Sequence, residues 1–132
     1  MEIPDDLHYT KEHEWVRVEP DGTVTVGITD YAQEQLGDIV FVELPKPDEE
    51  TVVLKDEAFA VIESVKAASD VYSPITGQVL EVNDDLPDNP NAINEDPYGD
   101  GWLVRLQPKN VKDVEDLMDS EAYEELIEGL ED

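Results

Sequence analysis

Lys66 stands between two apolar, strand-like runs, Ala58-Phe59-Ala60-Val61-Ile62 and Val71-Tyr72, in a chain that otherwise avoids cations. Only 8 of its 132 residues are Lys or Arg, against 35 Asp or Glu. A primary amine on a flexible four-carbon stem can take a cofactor through an amide bond and become a tether. That chemistry needs the lysine at a hairpin tip, open to a modifying enzyme. The turn Val65-Lys66-Ala67-Ala68 lacks the Asn-Gly or Asp-Gly of an ordinary tight hairpin. Small residues after the lysine leave its stem unobstructed. Glu63 and Asp70 flank it at near-symmetric spacing. On its own, an isolated lysine reads more simply as a surface residue paired with those carboxylates, an interaction worth about 0.5 kcal/mol or less.

Other chemistries have thinner support. Cysteine is absent, which excludes a disulfide framework, a zinc-thiolate site and a cysteine nucleophile. The two histidines, His8 and His13, belong to no Gly-x-Ser-x-Gly or His-Glu-x-x-His pattern. His13, between Glu12 and Glu14, is expected to be structural. Asp84, Asp85, Asp88 and Asp96 suggest a calcium-binding module, but they lack the ligand spacing of an EF-hand.

The elements that must position Lys66 are mostly short strands. Trp15–Glu19 and Thr23–Val26 alternate in polarity around the turn Pro20-Asp21-Gly22 and predict a hairpin. A short helix is expected next, capped by Asp30, with Gln33 three residues on and Gly37 at its end. Strand patterns resume at Ile39–Leu44, Thr51–Leu54, Ala58–Glu63, Gln78–Val82 and Trp102–Leu106, arguing for a sandwich or barrel. Asn83 to Gly101 is a long connection rich in Pro, Asn and Asp, of the kind that is functional, mobile or simply solvated. Beyond Asn110, Val111, Val114, Leu117 and Met118 are spaced for one helix face. Ala122, Tyr123, Leu126, Ile127 and Leu130 are spaced for a second, capped by Ser120 or Asp119. The tail is expected to pack on the β core and to fray near Asp132. The length fits one domain, with a β core over about residues 7–108 and a helical segment over about 110–130.

The formal net charge of -27 bears on solvent more than on task. It repels nucleic acid and anionic lipid, so neither is expected as a partner. Acidic residues alternate with Val, Ile and Leu and form no blocks, which fits a folded domain better than an acidic tail. At ~1 M salt the screening length falls to ~3 Å and repulsion between surface carboxylates nearly vanishes. The pattern therefore predicts a salt-loving source. No long apolar stretch or basic-plus-apolar leader is present, and the chain is expected to be a cytoplasmic monomer without membrane contact.

The context of Lys66 changes the simple reading. Glu63-Ser64-Val65-Lys66-Ala67 resembles the lipoyl-attachment motif of the glycine cleavage system H-protein family. The resemblance extends through Tyr9, His13-Glu14-Trp15-Val16, Val26-Gly27-Ile28-Thr29-Asp30-Tyr31-Ala32-Gln33 and Leu36-Gly37-Asp38-Ile39-Val40-Phe41-Val42-Glu43-Leu44-Pro45. It continues in Ser73-Pro74-Ile75-Thr76-Gly77, Glu81-Val82-Asn83, Asn94, Pro97-Tyr98 and Gly101-Trp102-Leu103. Only the first residues and the tail match loosely. Two turns depart from the family pattern. Pro47-Asp48-Glu49 replaces a glycine-containing turn, and Lys55-Asp56 stands where Lys-Gly or Gly-Asp is more usual.

The resemblance implies a mainly β, lipoyl-type barrel-sandwich hybrid with a short internal helix and a helical C-terminus. It implies lipoate on Lys66, with Glu63, Ser64, Val65 and Ala67 forming the attachment motif. The arm would take the aminomethyl group from a pyridoxal-phosphate glycine decarboxylase to a tetrahydrofolate-dependent aminomethyltransferase, and dihydrolipoyl dehydrogenase would reoxidise it. A lipoate ligase or lipoyl transferase would load it. The chain would be a carrier and not an enzyme, with both sulfurs supplied by the cofactor. Glu14 and Asp70 match family positions that face the loaded amine in a cleft. A biotin carrier would have methionines where Val65 and Ala67 stand, and a 2-oxoacid dehydrogenase lipoyl domain would belong to a longer chain. An H-like protein that mainly passes lipoate to other enzymes is the alternative within the same family.

Overall fold

β-branched and aromatic runs separated by turns give nine strands among the residues described, 2–46 and 51–131 of a computed structural model. Six form one antiparallel sheet, in the spatial order β1 (His8–Tyr9), β2 (Glu14–Val18), β3 (Val24–Ile28), β9 (Val104–Pro108), β8 (Gly77–Val82) and β5 (Val52–Val53). A second sheet has the order β4 (Ile39–Glu43), β6 (Ala58–Ser64) and β7 (Ala68–Tyr72). Alternation sends one face of each strand inward, so Val16, Val26, Ile62, Val79 and Leu106 are buried in a shared core. The architecture is mainly β with a short helix after β3 and helices at the C-terminus, as expected. The departing turn at Pro47-Asp48-Glu49 lies outside the described residues.

The first hairpin forms where the sequence placed it, with Val18 opposite Val24 and Gly22 at φ 88°. Asp21 stabilises the turn by accepting from the Thr23 amide at 3.0 Å. Trp15 is fully buried against its cross-strand partner Gly27, where an added Cβ would lie 2.7 Å from the indole. Only glycine permits that approach.

Helix α1 (Asp30–Leu36) is capped by Thr29 and not by Asp30. Thr29 is extended and its hydroxyl accepts from the Ala32 amide at 3.2 Å, which leaves Asp30 as the first helical residue. Gly37 ends the helix at φ 81°, as the sequence suggested. The Lys55-Asp56 turn holds Asp56 at φ 69°, a left-handed conformation that glycine adopts freely and Asp tolerates.

Three expectations need correction. Trp102 is outside the last strand, which begins at Val104. The connection from Asn83 to Gly101 is ordered by turns and by helix α2 (Ala92–Glu95). The first tail helix shrinks to α3 (Lys112–Glu115), because Met118 leaves the helical path to exchange backbone hydrogen bonds with Tyr9 at 2.8 and 2.9 Å. Val111 is consequently exposed.

Helix α4 (Ser120–Glu131) takes Asp119 as its cap, with Oδ1 accepting from the Ala122 amide at 2.9 Å. It buries the narrow stripe of Tyr123 and Ile127, while Ala122 and Leu130 stay exposed. Tyr123 stacks on Tyr9 at 4.6 Å between ring centres, and its hydroxyl lies 2.6 Å from Thr29 Oγ1 and 2.9 Å from His13 Nδ1. Burial lowers the pKa of His13 despite the opposing charge of Glu12. His13 is therefore a structural residue, held at φ 72° in the loop before β2.

The ion pairs among the described residues all involve Arg17 or Arg105, so most of the 35 acidic side chains have no counter-charge. Their repulsion is strongest in dilute buffer. The melting temperature is expected to rise from dilute buffer to molar KCl, and equal values would contradict this account.

Candidate functional site

Pairing of Glu63 with Ala68 makes the chain reverse over Ser64–Ala67, with Val65 and Lys66 at the tip. The Ser64 amide donates to Ala67 O at 2.8 Å. The Ser64 hydroxyl then does what an Asn-Gly turn would otherwise do. It accepts from the amides of Lys66 and Ala67, each at 3.2 Å, and donates to Ala67 O at 3.1 Å. One short side chain fixes the backbone on both sides of the lysine.

Lys66 is exposed, and no carboxylate among the described residues lies within ion-pairing distance of its amine. The simple pairing with Glu63 and Asp70 is therefore not formed. Glu63 is exposed on the strand leading into the turn. The lysine stem lies over Gly37, where an added Cβ would come 3.4 Å from Lys66 Cε. The Val65 amide donates to Asp38 O at 3.0 Å and ties the tip to the start of β4.

Asn94 was legible only as part of the family resemblance, yet it braces this whole corner. Its amide group donates to Gln33 Oε1 at 3.0 Å and Gly37 O at 2.9 Å, while its Oδ1 accepts from the Ile39 amide at 2.9 Å. The long connection also accepts from Trp15 Nε1 through Pro97 O at 2.9 Å and caps Asp30 N with the Tyr98 hydroxyl at 3.0 Å. This loop is a strut for α1 and β4.

Beside the hairpin lies a cleft of about 150 Å³ walled by the residues before β2, by α1, and by β6 and β7. Ala32, Leu36, Ile62 and Val71 give it apolar walls, and Glu14 and Asp70 both line it. Strand geometry places Ser69–Val71 roughly 10–17 Å along β7 from Lys66. Glu14 is only 3% exposed. Its carboxylate accepts from Thr10 Oγ1 at 2.6 Å and from the Tyr72 amide at 3.4 Å, and among the described residues no cation lies within ion-pairing distance of it. Burial pushes its pKa up to about 7 against those two hydrogen bonds, with smaller pushes from Glu12 and Asp56. A larger cleft of about 490 Å³ opens between Arg17, Arg105 and Trp102, away from Lys66 and Glu14.

A family model for the glycine cleavage H-protein matches residues 7–129. This chain belongs to the glycine cleavage H-protein family. It is 59% identical over 126 residues to the glycine cleavage system H protein of Halorhodospira halophila, covering 96% of this chain and 95% of that one. Identity to the Thermus thermophilus H protein is 54% over 129 residues, 98% of each chain. A crystal structure of the Mycobacterium marinum H protein superposes with a TM-score of 0.83 at 44% identity, covering 92% of this chain and 95% of that one. The two sheets are thus the lipoyl-type barrel-sandwich of the H-proteins. These relatives come from varied organisms and fix the family, not the source.

An H-protein is the carrier component of the glycine cleavage system and not one of its catalysts. The calcium reading finds no support in this H-protein fold. Among the described residues no group of three or more His, Asp or Glu is placed to hold a metal ion, and Asp96 accepts from the Asp100 amide at 3.0 Å. Among the described residues no helix is long and apolar enough to cross a membrane.

The raised pKa of Glu14 has a defined sign. The folded state keeps the proton up to about pH 7, whereas the unfolded chain releases it near 4.5, so this residue's contribution to stability falls across that window as pH rises. Glu14→Gln removes the buried charge. Its stability relative to the parent is expected to climb between pH 4.5 and 7, by up to about 3 kcal/mol at pH 8. Denaturant titrations of both chains across that range check it, and a constant difference would contradict it.

Proposed function

We propose that Lys66 carries lipoate in amide linkage, and that the loaded arm rests in the cleft between Glu14 and Asp70 on its way between partner enzymes. One observation carries this reading: an exposed amine, free of ion pairs among the described residues, stands on a braced hairpin tip whose strand β7 runs back along a cleft lined by the buried Glu14. The residues fit the group. Val65 and Ala67 are exposed beside the lysine, and Gly37 leaves room under its stem. Bound lipoate supplies a long tether and a reversible disulfide, neither of which a cysteine-free chain possesses. Ser64 and Asp38 keep the attachment point still while the tether swings, which raises its effective concentration at each partner's site.

The aminomethyl cargo carries an amine. In the cleft that ammonium would meet Glu14, whose ionised form it favours, while Ile62 and Leu36 exclude water. Asp70, at the exposed lip, would draw the amine inward. The partners in this reading are a pyridoxal-phosphate glycine decarboxylase, a tetrahydrofolate-dependent aminomethyltransferase, dihydrolipoyl dehydrogenase and an enzyme that attaches lipoate. The dense acidity, with 8 Lys or Arg against 35 Asp or Glu, supports a cytoplasm rich in salt as the working environment.

Intact-mass measurement after incubation with lipoate, ATP and a lipoate ligase tests attachment. The parent should gain one lipoyl group, and Lys66→Arg none. An unmodified parent would overturn the reading. With loaded carrier, Glu14→Gln should shorten the half-life of the aminomethyl adduct several-fold while leaving lipoylation intact, and equal half-lives would remove Glu14 from the role.

A further inference from the structure

The strand beside the lysine hairpin breaks the inside–outside rule. β4 pairs with β6 through Ile39 opposite Ser64 and Phe41 opposite Glu63, with a bulge between the two pairs. Ile39 and Val42 are buried, as alternation from either end requires. The extra residue puts both Val40 and Phe41 outside, at 54% and 49% exposure, where regular pairing would have buried one of them. Val65, at the hairpin tip, is 67% exposed, and its amide is bonded to Asp38 O, two residues before Val40. Three large apolar side chains therefore stand exposed on the hairpin tip and on the adjoining strand β4, whose outer edge pairs with no other strand among the described residues. Exposed carboxylates of Asp38, Glu43 and Glu63 frame them.

We infer that this Val40–Phe41–Val65 patch is the docking anchor for the enzyme that attaches lipoate to Lys66. The inference rests on the carrier reading above. Reach selects the occupant. Once the arm is attached, later partners can take its far end without touching the hairpin. The attaching enzyme acts on bare Lys66 and must bring its reactive acyl carbon within the length of a lysine stem. It is thereby forced against the tip and the neighbouring strand. Charge complementarity sets the chemistry of its contact surface: an apolar socket ringed by Lys and Arg that meet Asp38, Glu43 and Glu63. Apolar contact in the middle with charges at the rim is the usual anatomy of a specific interface. It also survives high salt better than charge pairing alone.

The test uses the full chain and a lipoate ligase, with the product read by intact mass. Val40→Thr combined with Phe41→Gln should lower kcat/KM for lipoylation at least tenfold, mainly through KM, with the melting temperature unchanged. Val111→Thr, an exposed residue far along the chain, should behave as the parent. Added salt should slow the parent by weakening the charged rim. If the parent is modified and the double variant matches it within twofold, the docking inference fails alone. If the double variant is lipoylated normally but is reduced more slowly by the decarboxylase, the patch belongs to a later partner and the assignment is overturned. A parent that stays bare overturns the carrier reading and this inference with it.

Discussion

The Asn94 side chain satisfies three groups where α1 gives way to β4, and the presentation of Lys66 depends on that knot. Gly37 O, Gln33 Oε1 and the Ile39 amide all bond to it. Residue 38, enclosed between two of these contacts, offers its carbonyl to the Val65 amide. The lysine tip is thus referred through Asp38 to a fixed point shared by a helix, a strand and a distant loop. A hairpin of two strands alone is marginal in water, so a tip that must stay put needs such an outside brace. The cleft shares the same support, because Leu36 precedes the knot and forms part of its wall.

A second brace reaches the cleft from the C-terminus. Tyr123 stacks on Tyr9 and contacts both Thr29 and His13, and these two residues border α1 and β2. Its burial raises its pKa, and it acts here as a neutral hydroxyl. The helical tail therefore does more than cover apolar surface. It sets the loop that carries His13 into the cleft and leads into Glu14.

Much of this was readable from the residues. The strand patterns, the helix stop at Gly37 and the isolation of Lys66 all follow from local periodicity and composition. The bulge in β4 did not show, because Ile39-Val40-Phe41-Val42 is apolar throughout and alternation cannot register a slip in such a run. Thr29 and Asp30 are both good caps in series, and only the extended backbone at Thr29 decides between them. The partners of Asn94 lie more than fifty residues away in sequence, beyond any local signal. Glu14 was one carboxylate among 35 until burial set it apart.

That last distinction explains how one carboxylate can matter on so acidic a surface. A solvated carboxylate 4 Å from an ammonium gains about 1 kcal/mol, and high salt reduces even that. The same pair at the lower effective dielectric near a protein wall gains several times more. A surface crowded with solvated acids therefore holds a cationic cargo nowhere in particular. Glu14 differs because it is buried and its two hydrogen bonds bring it no positive charge. The energetic cost of keeping it there appears as a raised pKa, and an arriving amine would relieve it. In the proposed role, the acidic shell could vary with the solvent while selectivity for the cargo stayed with a single buried group.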